Sequence, residues 1–80
     1  MKSRVSVTLK SGILDPQGKA IEEALSRLGF SNIGSVRQGK TFDIELNETD
    51  PQKAQVILND MCEKLLANTV IEDYSINNND

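Results

Sequence analysis

An α+β domain with the element order strand, helix, strand, strand, helix, strand is predicted by three observations. Short stretches alternate apolar and polar residues with period two, at residues 4–9, 41–47 and 70–76. Two longer stretches repeat apolar residues every three or four positions, as an amphipathic helix does. Both helical stretches open with the same pair, Asp15-Pro16 and Asp50-Pro51, 35 positions apart.

In chain order, Val5, Val7 and Leu9 alternate with Ser6 and Thr8 to give a first strand with one buried face. Residues 10–14 connect it to Asp15, whose carboxylate can accept hydrogen bonds from the free amides of a helix start. Pro16 then sets φ at a position where no amide donor is needed. Ala20, Ile21, Ala24, Leu25 and Leu28 form the helix stripe. Gly29 suits a left-handed helix end, with Phe30 folding back over it. Gly18 is the odd member, because glycine inside a helix costs about 1 kcal/mol relative to alanine. A bare backbone there points to close approach by a neighbouring loop or another subunit.

Residues 33–38 are the weakest strand signal, since Ile33 and Val36 break strict alternation and Gly34 lies between them. Gln38-Gly39-Lys40 is expected to turn with Gly39 at positive φ, pairing 33–38 with 41–47 as a hairpin. Ala54, Ile57, Leu58, Met61, Cys62 and Leu65 mark the second helix, which Asn68 would end. In 70–76 either face could be the buried one. The domain is expected to span 1–76, and 77–80, with nothing apolar to bury, to fray.

Two split βαβ units in this order give a ferredoxin-like arrangement, a four-stranded antiparallel sheet with two helices on one face. Ser6, Thr8, Thr41, Asp43 and Glu45 would line the open face. That topology serves many functions, so the residues must choose. The 80 residues contain no histidine and one cysteine, which removes the commonest general base, the commonest metal ligand and any internal disulfide. A net charge of −3 and three aromatics argue against nucleic acid. Val36-Arg37-Gln38-Gly39-Lys40 is similar to a phosphate-binding loop, but it follows the first helix instead of preceding it, and reads as a glycine turn between solvated cations. No apolar run reaches the ~20 residues of a membrane span. With no leader-like pattern after Met1, a cytoplasmic location is expected.

A set of blocks in fixed order carries a family pattern: Val7-Thr8-Leu9-Lys10, Leu14-Asp15-Pro16-Gln17-Gly18, Leu28-Gly29-Phe30 and Val36-Arg37-Gln38-Gly39-Lys40, then Cys62 to Asn68 and Val70 to Tyr74. Over residues 4–76 the chain closely resembles the PurS family, small subunits of the three-part phosphoribosylformylglycinamidine (FGAM) synthase of purine biosynthesis. It departs from the family habit at Thr69, where proline is usual.

The resemblance implies a ferredoxin-like subunit without an active site, cofactor or metal of its own. Such a subunit would form a homo-dimer or tetramer and bridge a glutaminase subunit to a large synthetase subunit that uses ATP and magnesium. Ammonia released from glutamine would pass to the synthetase, which converts formylglycinamide ribonucleotide to the amidine. Asp15, Gln17, Gly18, Arg37, Gly39 and Lys40 are the candidate partner-contact residues. The alternative is a small-molecule sensor of the amino-acid-binding ferredoxin-like type.

Overall fold

The computed structural model describes residues 1–78. Strand β1 (Lys2–Leu9) is central, with β2 (Gly39–Glu45) and β3 (Glu72–Asn78) antiparallel on either side. Helix α1 (Pro16–Arg27) follows β1, and helix α2 (Pro51–Met61) continues into a π-helical turn, Cys62–Leu66. The register sets Val5 opposite Phe42 and Ile76, and Val7 opposite Lys40 and Tyr74. Those positions form the face that α2 covers. Leu58, Val5, Val7 and Cys62 are its largest fully buried side chains, with Phe42, Ile44, Tyr74 and Ile76 packed around them half-buried.

The α2 stripe is buried at Ala54, Leu58 and Cys62, as its spacing predicts. At the end of the helix the Ala67 amide donates to the Cys62 carbonyl five residues back, at 3.0 Å, which makes the last turn wider. Leu66 and Ala67 consequently face the core, while Leu65 is 83% exposed. The chain then reverses at Asn68, whose carbonyl accepts from the Ile71 and Glu72 amides. The third strand begins at Glu72, two residues later than expected, and turns Glu72, Tyr74 and Ile76 inward. It runs through Asn78, beyond the expected domain end at residue 76, because Ser3 Oγ donates to Asn78 Oδ1 at 2.6 Å and pairing with β1 continues to that point. Residues 79–80 of the expected frayed tail lie outside the described residues.

Three expectations are corrected. First, the sheet has three strands among the described residues, in the order β2-β1-β3, not four. Residues 33–38 form no strand: the Gln38 amide donates to a carboxylate at the start of α1, and the Arg37 guanidinium donates to the Leu9 and Lys10 carbonyls at the end of β1. Second, the 33–47 hairpin is absent. Gly39 begins β2 opposite Thr8, without a positive φ, and a Cβ there would lie 2.5 Å from the Val7 carbonyl oxygen.

Third, α1 does not share the sheet face with α2 and packs extensively against no other element. It stands away from the sheet, so the molecule measures 48 × 26 × 15 Å with a radius of gyration of 16.0 Å. A compact chain of this length would have about 12 Å. The opposite, open face of the sheet carries Ser6, Thr8, Thr41, Asp43 and Glu45 as expected, with Arg4 paired to Asp43 across it at 2.8 Å.

Candidate assembly site

The base of α1 is built from both sides of the helix. After β1, residues 10–13 make a tight turn in which the Ile13 amide donates to the Lys10 carbonyl, and Gly12 takes the positive φ of 86° that this turn requires. Asp15 follows as N-cap, with Oδ1 accepting from the Gly18 amide at 2.9 Å and Pro16 at the first helical position. Its second oxygen, Oδ2, accepts from the Gln38 amide at 2.9 Å. One carboxylate therefore serves both the helix start and the segment that leads into β2. The Gln38 bond first and the Gly18 bond second hold the Asp15 carboxyl below its ordinary value, helped by the nearby Arg37 charge.

Gly18 is the one buried residue of α1. A Cβ there would collide with the Val36 carbonyl oxygen and lie 2.6 Å from Asp15 Oδ2. The neighbouring loop accounts for the bare backbone. Arg37 extends the contact, since its guanidinium donates to the Leu9 carbonyl and, at 3.1 Å, to the Lys10 carbonyl at the end of β1. Gln38 Nε2 donates to Gln17 Oε1 at 2.7 Å.

Four of the six sequence-predicted contact residues thus line one open cleft of about 470 Å³. They are Asp15, Gln17, Gly39 and Lys40, while Gly18 lies against Asp15 and the Val36 carbonyl and Arg37 binds the Leu9 and Lys10 carbonyls. Sequence reasoning missed Gln38 and Glu72, which line the cleft together with Val7, Leu9 and Pro16. Gln38 reaches Asp15 through its backbone amide, for which side-chain type gives no signal, and Gln17 through its side chain. Glu72 faces inward because β3 starts there, and its Oε2 lies 3.8 Å from Lys40 Nζ. The cleft holds no nucleophile with an adjacent base. Asp15 accepts two amides, and Glu72 Oε1 accepts the Asn68 amide at 2.6 Å. Among the described residues no group of three or more histidine, cysteine or acidic side chains could hold a metal ion. No helix among them is long and apolar enough to cross a membrane.

Beyond the base, α1 presents its apolar stripe with little to cover it. Ala24 and Leu25 are half-buried, whereas Ile21 and Leu28 are exposed, the latter 74%. The helix ends as its glycine predicts. Gly29 has φ 98°, its amide donates to the Ser26 carbonyl, and the Phe30 amide donates to the Leu25 carbonyl. Phe30 nevertheless remains 56% exposed, and Leu14 is exposed at the other end.

The family model described as "PurS: Phosphoribosylformylglycinamidine (FGAM) synthase" matches residues 2–80. The chain belongs to the PurS family. Among curated relatives, the phosphoribosylformylglycinamidine synthase subunit PurS of Mycobacterium leprae is 51% identical over 74 residues, covering 90% of this chain and 87% of the relative. The crystal structure of Methanocaldococcus jannaschii PurS, described as one of the subunits of formylglycinamide ribonucleotide amidotransferase in the purine biosynthetic pathway, is 43% identical. It superposes with a TM-score of 0.86 over 95% of this chain and 92% of that one. A chain in the structure of PurLQS from Thermotoga maritima is 32% identical and gives 0.87, over 95% and 93%. As a PurS chain, this protein is a subunit of FGAM synthase in purine biosynthesis, and the three-strand, two-helix form is its PurS subunit architecture.

Proposed function

We propose that the chain is a non-catalytic assembly subunit of a three-part FGAM synthase in the cytoplasm. It associates with a second copy through α1 and bridges a glutaminase subunit to a large synthetase subunit that uses ATP and magnesium. The complex converts formylglycinamide ribonucleotide, glutamine and ATP to formylglycinamidine ribonucleotide, with this subunit supporting the passage of ammonia. The observation that carries this reading is the likeness, over 95% of the chain, to a chain of the PurLQS structure. The side-chain inventory of the cleft agrees with it, because an acid with both oxygens engaged and a lysine beside a glutamate equip a surface for contact more than for catalysis.

The second copy is favoured by reciprocity. One chain carries both an uncovered helix stripe and a helix-side sheet face on which Phe42, Ile44 and Tyr74 stay half-buried. A two-fold axis would let each copy cover the other. The cleft rim at Gln17, Gly39 and Lys40, supported by Asp15, Gly18 and Arg37, is proposed as contact surface for a larger subunit.

Reconstitution tests the proposal. Purified glutaminase and synthetase subunits, supplied with ATP, magnesium, glutamine and formylglycinamide ribonucleotide, are expected to form product from glutamine only when this chain is added. Activity with added ammonia should persist without it. Equal glutamine-dependent rates with and without the chain would defeat the proposal.

A further inference from the structure

We infer that Asp15, Gly18 and Arg37 form a clamp that fixes the direction in which α1 leaves the sheet, so that the helix is presented to a second copy as a preformed arm. The inference rests on the self-association proposed above and adds the device that governs it. Four contacts converge where α1 meets the body. The Asp15 carboxylate joins the Gly18 amide to the Gln38 amide, each at 2.9 Å. The Arg37 guanidinium grips the Leu9 and Lys10 carbonyls, tying the same segment to the end of β1. Gln38 meets Gln17 on the first turn of the helix at 2.7 Å. Gly18 lets the Val36 carbonyl lie against the helix backbone where any side chain would force it away.

Further along α1 no strand and no part of α2 packs extensively on the helix. A twelve-residue helix joined to the sheet only through residues 10–15 and 28–38 would otherwise be free to swing, and a second copy would have to bear the cost of ordering it. The overall likeness to the Methanocaldococcus jannaschii PurS crystal structure and to a chain of the Thermotoga maritima PurLQS structure, with TM-scores of 0.86 and 0.87, agrees with a shape that is set by the chain itself.

The test separates the clamp from the cap and from direct partner contact. Asp15→Ser keeps an N-cap acceptor for Gly18 but cannot also reach Gln38, and Arg37→Met removes the grip on β1 while keeping an apolar stem. Spin labels at Glu23→Cys on α1 and Thr41→Cys on β2, with buried Cys62 left unlabelled, report the helix direction. Labelled chain is diluted into a tenfold excess of unlabelled chain of the same variant, so only distances within one chain are read. The parent is expected to give one narrow distance distribution. Each variant should at least double its width and raise the self-association Kd tenfold or more by sedimentation.

A distribution that stays narrow in both variants overturns the clamp, even if association weakens, because that pattern marks contact residues. A broadened distribution with unchanged Kd overturns its role in presentation. A parent that remains monomeric at 100 µM defeats the self-association reading instead, and the width of the distribution alone then decides the clamp.

Discussion

Gly18 and Asp15 are the two residues whose environments explain most about this chain. At Gly18, alanine would gain about 1 kcal/mol of helix propensity. Overpacking costs roughly 1–3 kcal/mol, and the obstacle here is a backbone carbonyl that cannot rotate away, which places the cost toward the upper end. Gly18→Ala is therefore expected to lower stability by about 1–2 kcal/mol, read as a lower urea midpoint at matched chain concentration; a higher midpoint would contradict the packing. Asp15 gives a pH signature. Its carboxyl is held low in the folded chain, chiefly by the Gln38 amide and then by Gly18, so the stabilisation is complete above the unfolded value near 3.9 and disappears as pH falls through the folded value. Asp15→Asn should be less stable than the parent at pH 7, with the gap closing below about pH 4 in urea titrations run at successive pH values. A gap that stays constant to pH 2.5 would mean that the charge is irrelevant. Asp15 as a cap and Gly18 as a bare helix position were legible from the sequence, because an Asp-Pro pair and a glycine inside a helix stand out. What they touch was not legible, since Val36 and Gln38 take part through backbone atoms.

At the scale of elements, α2 and α1 carry similar stripes but meet different fates. The α2 stripe is buried by its own chain at Ala54, Leu58 and Cys62, whereas Leu65, which the spacing also assigns to the core, is turned out by the π-helical turn. Leu58→Ala is expected to cost about 2–5 kcal/mol, a large part of the ~4–12 kcal/mol available to a domain this small, while Leu65→Ala should shift the urea midpoint very little in the isolated chain. Comparable losses at the two positions would contradict the wider turn. Both helix openings, the glycine stop after α1 and strands β1 and β2 follow local rules, and each was legible. The strand expected over 33–38 was not formed, because its amides and side chains are used to hold the base of α1 instead of a sheet neighbour. The positive φ expected at Gly39 failed for a related reason: that glycine answers to the Val7 carbonyl across the sheet, which a local turn rule cannot see. Helical periodicity records that a face is buried, and it is silent on whether the cover comes from the same chain.

For the whole molecule, this last point decides how the shape relates to function. Four large side chains are fully buried within a body only 15 Å thick, while Ile21, Leu28 and Phe30 stand exposed on a helix that reaches away from it. A chain that spends so much apolar surface outside its own core gains stability by association, and its folding and assembly should be linked through concentration. Charge placed on the outer stripe tests this without touching the core. The double variant Ile21→Lys, Leu28→Lys alters two exposed positions, so its circular dichroism should retain the sheet and helix signature at high concentration. Self-association should weaken at least a hundredfold, since each lysine must be desolvated or displaced for the faces to meet. Glutamine-dependent FGAM formation in the reconstituted complex should fall with it, while the ammonia-dependent rate stays at the parent level. Sedimentation at a series of concentrations measures the first effect and paired glutamine and ammonia assays the second. If the variant associates like the parent, α1 is not the face through which copies meet; if it stops associating but supports the parent glutamine rate, self-association is not what the subunit contributes to the complex.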